Sequence, residues 1–245
     1  MRFKDKVVLI TGSSRGIGRA TALLFAQEGA KVAVNYVNSK DKAQDVVNKI
    51  KKLGSDAFAI RCDVSKEKDV KNMINEVIKK FGHIDVLVNN AGIVYDVPLK
   101  ERSLEQWKRT IDVNLTGIFL CSKYAIPHME KKGGSIVIVS STNGIDCFNP
   151  DSIDYDVTKA GAIILTKDLA IALAPKIRVN SVAPGWVDTD MNKDLTKEFI
   201  EEETKRIYLK RFAKPEEIAK TILFLSSDDA SFITGSILKV DGGYS

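Results

Sequence analysis

A chain of 245 residues, 44% of them hydrophobic, is long enough to bury one sizeable core without disulfide staples, and one α/β domain is the expectation. Its net charge of +5 does not point to nucleic acid, because lysines alternate with acids, as in Lys40-Asp41-Lys42 and Glu67-Lys68-Asp69, and read as a solvated surface. No apolar run reaches the roughly 20 residues that span a bilayer, and no signal-peptide core follows Met1-Arg2-Phe3. Cys62, Cys121 and Cys147 are odd in number and lack ligand spacing, so a cytoplasmic protein with reduced thiols and no metal is expected.

In chain order, Val7-Val8-Leu9-Ile10 is a β-rich run, followed by an amphipathic segment over 20–28 that stops at Gly29. Lys31-Val32-Ala33-Val34 precedes a lysine-rich helix over 41–53, closed by Gly54. Ala57-Phe58-Ala59-Ile60 leads to a helix over 66–81, closed by Gly82. A fourth strand over 84–88 precedes a long helical tract over 103–131. Strand 135–139, helix 155–173 and strand 177–182 continue the alternation. A last helix starts near Pro215, a good first-turn residue, and a strand over 237–240 ends the series. Continuous apolar runs of this kind form strands covered by helices on both faces. The expected fold is a single doubly wound Rossmann-type domain over 1–245, with about seven parallel strands. The irregular stretch 186–214 is expected to be a mobile flap over the substrate.

The first strand runs into Thr11-Gly12-Ser13-Ser14-Arg15-Gly16-Ile17-Gly18. Glycines allow a tight turn, and the helix that follows offers unpaired N–H groups and a partial positive charge to a pyrophosphate. Further along stand Asp63-Val64, Asn89-Asn90-Ala91-Gly92, Asn114, Ser141, Tyr155 with Lys159, and Pro184-Gly185 with Thr189. In this spacing and order, the chain resembles the short-chain dehydrogenase/reductase family along essentially its whole length.

The resemblance implies a nicotinamide cofactor on Gly12, Ser14, Arg15, Gly16, Ile17 and Gly18. It implies Asp63 and Val64 beside the adenine, and Asn90, Ala91 and Gly92 along the ribose and pyrophosphate. Pro184, Gly185, Val187 and Thr189 would meet the nicotinamide end. NADP(H) is favoured over NAD(H), because Asn35 and its neighbours replace the acid that would repel a 2′-phosphate. Arg15 has the geometry to grip that phosphate; the alternative is an exposed Arg15 and acceptance of both cofactors.

Tyr155 and Lys159 lie at i and i+4 and share a helix face. A free tyrosine titrates at roughly 10, and a neighbouring ammonium favours phenolate, bringing that value toward the working pH. The resemblance makes Tyr155 the acid in reduction and base in oxidation, with Lys159 also on the nicotinamide ribose. It makes Ser141 the hydrogen-bond donor to the substrate oxygen, with Ser140 and Thr142 as alternatives, and Asn114 the holder of a water in a proton relay.

Within the family the chain looks closest to 3-oxoacyl-(acyl-carrier-protein) reductases and to glucose dehydrogenases. Lys131, Lys132 and Lys176 speak for an acidic acyl carrier, unless they are ordinary surface lysines. The segment 145–154, expected to line the pocket, departs from the reductase pattern with Asp146, Cys147, Phe148, Asp151 and Asp154, and Asp156 follows Tyr155. Extra carboxylates suit a polyhydroxylated substrate, or simply face solvent. A non-catalytic NADP(H)-binding regulatory protein is a third reading, which intact Ser141, Tyr155 and Lys159 oppose. The resemblance also implies a homotetramer.

Overall fold

The computed structural model describes residues 1–146 and 149–244. Seven strands, β1 (Val7–Ile10), β2 (Lys31–Tyr36), β3 (Ala57–Arg61), β4 (Val86–Asn89), β5 (Gly134–Val139), β6 (Ile177–Pro184) and β7 (Ile237–Val240), pair in parallel in the order 3-2-1-4-5-6-7. The order reverses between β1 and β4. In an open sheet of this type the crevice for a ligand lies there, outside the carboxyl ends of the strands.

Helices α1 (Gly16–Gln27), α2 (Lys40–Lys52) and α8 (Pro215–Ser226) cover one face; α3 (Glu67–Phe81), α5 (Gly117–Met129) and α6 (Ile153–Leu173) cover the other. Alternation along β1 feeds both cores. Val8 and Ile10 join Phe25, Val46 and Ile222, whereas Val7 and Leu9 join Val70, Met73 and Cys121. Each fully buried aliphatic side chain contributes about 1.5–3 kcal/mol, so a sheet buried on both sides holds its carboxyl edge rigidly.

The differences from the sequence reading are local. Helix α1 begins at Gly16, which has φ +54° and follows an extended Arg15, four residues before the apolar period starts at Ala20. The tract over 103–131 is α4 (Leu104–Ile111), a five-residue π turn (Asp112–Thr116) and then α5. Strand β6 runs on to Pro184, and the stretch 186–214 contains α7 (Lys197–Arg206). Among the described residues no helix is long and apolar enough to cross a membrane.

Candidate active site

The turn after β1 is shaped by two close approaches. Gly12 has φ +63°, and a Cβ there would lie 3.0 Å from Ala91 Cα. A Cβ on Gly18 would lie 2.5 Å from the Gly12 oxygen and 2.6 Å from Asn90 Nδ2, so the helix is packed onto its own entry turn. Thr11 Oγ1 accepts the backbone N–H groups of both Asn90 and Ala91 at 2.9 and 3.0 Å, and Asn90 Nδ2 donates to the Thr11 and Gly12 oxygens. The ends of β1 and β4 are thereby locked together, with Gly12, Ala91 and Gly92 on the crevice.

Arg15 is the exposed residue preceding α1. With Ser14, Gly16, Arg19, Lys42, Thr189 and Asp190 it lines a cleft of about 550 Å³. Thr189 packs on Gly16, and Lys42 bridges the cleft mouth to Asp190 at 2.9 Å. Ile17 packs partly into the core beneath. Pro184 ends β6, Gly185 N donates to Val240 O, and Val187 is buried against the core. Asp41, Asp45, Asp188 and Glu216 also line this cleft, so the fit to a dinucleotide phosphate chain rests on the close-packed glycines and the helix N-terminus, with Arg15 and Arg19 as the cations beside them.

Three expected cofactor contacts are otherwise engaged. Asn35 is buried, its Oδ1 accepting Gly12 N–H at 2.9 Å and its Nδ2 donating to Cys62 O at 3.1 Å. It is a strut between β2, β3 and the glycine turn, not a group turned toward a ribose. Burial would raise the Asp63 carboxyl, but hydrogen bonds from Ser65 and Arg109 outweigh it and hold Asp63 below the usual range. Val64 is buried under Gly117.

At the end of β5 the hydroxyls separate by role. Ser140 Oγ bonds Ser181 Oγ at 2.7 Å, and Thr142 Oγ1 donates to Pro184 O, so both brace β6. Ser141 alone of the trio acts on the Tyr155 phenol, where it favours the ionised form against burial. Its Oγ also accepts Asn143 N–H at 3.2 Å.

Lys159 is 4% exposed, with Nζ 5.3 Å from the Tyr155 ring centroid and donating to Val139 O at 2.7 Å. Here the expected acidification of the phenol is not realised by the protein groups alone. Burial pushes Tyr155 up to about 12, against a lowering by Ser141, and burial pushes Lys159 down to about 8. The ammonium faces the ring and a carbonyl rather than the hydroxyl, so desolvation dominates both groups.

Asn114 sits in the π turn, wholly buried, where it grips both backbone groups of Ile93: Oδ1 accepts the N–H and Nδ2 donates to the oxygen, each at 2.8 Å. Nδ2 also reaches Thr158 Oγ1 at 3.2 Å. A Cβ on Gly92 would lie 3.5 Å from Asn114 Oδ1 and 3.7 Å from Lys159 Nζ, so these groups converge on one spot. A π turn interrupting a helix at this point is a frequent mark of a functional position. Neither the π turn nor the double role of Thr11 had a signal in hydrophobic spacing.

The carboxylates of the pocket segment are mostly engaged. Asp156 accepts Asn143 Nδ2 at 2.8 Å and Asn149 N–H at 2.9 Å. Asp146 pairs with Lys239 at 2.8 Å, and Asp154 is buried on Arg102. Cys147 and Phe148 lie outside the described residues. On the other side, Trp186 stacks on Phe212 and meets Phe199 edge-on, and Nε1 donates to Glu203 Oε2 at 2.7 Å. Tyr244 OH donates to the same carboxylate, tying α7 to the last residues of the described chain.

A family model described as Enoyl-(Acyl carrier protein) reductase matches residues 12–245. The chain is 46% identical over 241 residues to the 3-oxoacyl-(acyl-carrier-protein) reductase FabG of Staphylococcus epidermidis, covering 98% of each. It is 44% identical to the FabG of Thermotoga maritima, covering 99% of each. Among solved structures, a short-chain dehydrogenase/reductase from Serratia marcescens matches with TM-score 0.95 at 35% identity, over 99% of each chain. A short chain dehydrogenase from Burkholderia cenocepacia, in complex with NADP, matches equally well, with TM-score 0.95 and 35% identity over 99% of each chain.

Proposed function

The chain belongs to the short-chain dehydrogenase/reductase family, and we propose that it reduces the 3-oxo group of an acyl thioester, presented on an acyl carrier protein, with NADP(H). The observation that carries this reading is Lys159 buried against the Tyr155 ring and beside Asn114 and Gly92 in the crevice, with Ser141 acting on the phenol. NADP(H), when bound, supplies the hydride. Tyr155 donates its proton to the carbonyl oxygen as negative charge develops there, and Ser141 donates a hydrogen bond to the same oxygen. Lys159 compensates the charge left on the phenolate, and Asn114 holds the Ile93 backbone that borders the site. Gly12, Ser14, Arg15, Gly16, Gly18, Asn90, Ala91, Gly185 and Thr189 would hold the dinucleotide. The stretch 186–214 would form the substrate flap of this single domain.

An acyl substrate is favoured over a polyol because three of the departing carboxylates, Asp146, Asp154 and Asp156, already have protein partners and are not free for sugar hydroxyls. The test is NADPH oxidation with a 3-oxoacyl thioester beside a panel of aldoses and polyols. Thioester turnover at least tenfold above the sugars is expected; sugar turnover alone would reverse the reading, and tight NADP(H) binding without turnover would favour a regulatory protein. Arg15→Ala should lower kcat/KM for NADPH by about tenfold while leaving NADH unaffected, as for a lost charge-assisted phosphate contact. An unchanged ratio removes Arg15 from cofactor choice.

The oligomer reading has its own support. Val157, Ile164 and Ile171 recur every seventh residue on α6 and are exposed, Ile171 at 79%, with Leu104 and Phe119 exposed on α4 and α5. Leu238 is exposed on β7, one of the two edge strands of the sheet. Two such faces suit the two dyads of a homotetramer. Lys131, Lys132 and Lys176 cluster where β5 and β6 begin, the end of the sheet away from the crevice. On one subunit they do not flank the site, so carrier docking there goes together with the assembly. Light scattering at working concentration should give the tetramer mass; a monomer would contradict both.

A further inference from the structure

The residue before Tyr155 belongs to the most deeply buried ion pair among the described residues. Arg102 and Asp154 have side chains 3% and 0% exposed, and Arg102 Nη1 lies 2.9 and 3.0 Å from the two carboxylate oxygens. Nη2 donates to the carbonyls of Tyr95 at 2.8 Å, of Val97 at 3.0 Å, and of Asp151. Asp154 Oδ1 in turn accepts the backbone N–H of Tyr155 at 3.0 Å. One guanidinium therefore stitches the loop leaving β4 to the short turn entering α6, and Val97 N–H to Asp151 O at 2.8 Å closes the same seam.

Stability does not account for the pair. Each buried ion loses several kcal/mol of hydration, and apolar replacements of similar volume are often neutral or better. Arg102 Nε has no partner among the described residues, which adds to the penalty. A charge pair retained on these terms, one peptide from the proton donor, is better explained by what it does to that donor.

Its surroundings show what that is. Asp96 from the loop after β4 and Asp156 from α6 both act on the phenol with negative charge. Asp151 and Asp154 stand behind Asp96, and Arg102 opposes them. Lys159 faces the ring from the same helix as Tyr155. The turn after β5 and the π turn bring uncharged Ser141, Asn143 and Asn114, while Asp146 is paired with Lys239. Arg102 is thus the cation that balances this acidic wall from the loop side.

We propose that Arg102 and Asp154 form a positioning pair, which holds the 95–102 loop against the first turn of α6 and, by acting on Asp96, sets the balance of charge facing the Tyr155 hydroxyl. The pair rests on Tyr155 being the proton-transfer group and acts through it. It touches no substrate atom itself.

The test is the pH profile of kcat/KM for alcohol oxidation, in which phenolate is the reactive form. Arg102→Met removes a positive charge and should move the rising limb to higher pH, by about half a unit or more. Asp154→Asn removes a negative charge and should move it to lower pH. The double variant restores the charge balance: its limb should return toward the original, with kcat about tenfold down and KM little changed, because the stitch is lost. Single variants that lose activity with limbs unmoved would mark the pair as purely structural and overturn the proposal. If the single variants do not fold, the double variant decides, and a folded double with unaltered kcat overturns it equally. Turnover surviving in Tyr155→Phe would instead remove the reading on which the pair depends, whatever the limbs do.

Discussion

Tyr155→Phe is expected to lower turnover by about three orders of magnitude, within the range for loss of a positioned general acid, while NADP(H) binds as before. The substitution removes one oxygen from a half-buried side chain and leaves its ring in place. Burial pushes the phenol up to about 12, so at neutral pH it is protonated and ready to donate. Reduction should therefore stay flat across neutral pH and fall only as the phenol ionises. Oxidation needs the opposite form, so its kcat/KM should rise with pH. Cofactor titration by NADPH fluorescence separates binding from chemistry, and single-turnover hydride transfer reads the step itself. A variant within tenfold of the original rate would remove Tyr155 from the chemistry.

The sheet and the glycine turn were legible because their physics is local. Apolar runs such as 7–10 encode strands covered on both faces, and the turn residues Gly12, Gly16 and Gly18 are fixed by backbone geometry within eight positions of sequence. Convergence of Lys159 and Asn114 near Gly92, with Tyr155 against Lys159, followed from the resemblance, not from periodicity. Pairings between distant segments were not legible. Asn35 reads as a cofactor contact until Gly12 N–H and Cys62 O are seen to engage it. Asp154 and Asp156 read as pocket acids until Arg102, Asn143 and Asn149 are seen to hold them. Nor does i, i+4 spacing say which atom an ammonium meets. Lys159 shares a face with Tyr155 as expected, yet its hydrogen bond goes to Val139 O.

That placement makes Lys159→Met a variant expected to gain stability while losing activity. Burial holds the Lys159 pKa down at about 8, from an ordinary value of 10.5, so the folded state binds its proton less well than the unfolded chain does. Below pH 8 the protein folds with a desolvated ammonium and bears the full penalty. Between about pH 8 and 10.5 the folded lysine is neutral while the unfolded one keeps its proton, so the penalty is the cost of releasing that proton on folding, which shrinks as pH rises and is gone above the window. Methionine matches the length of the stem, carries no charge, and forgoes only the bond to Val139 O. At pH 7 the net gain should be about 1–2 kcal/mol, a Tm rise of about 4 °C for a chain of this size. The difference from the original protein should fade as pH is raised through 8 to 10. Turnover should fall by about 100-fold or more, because phenolate charge at Tyr155 then has no cation beside the ring. A variant less stable at pH 7, converging with the original only at high pH, would mean that the ammonium is held favourably where it lies; the electrostatic account of both residues would then have to be reversed.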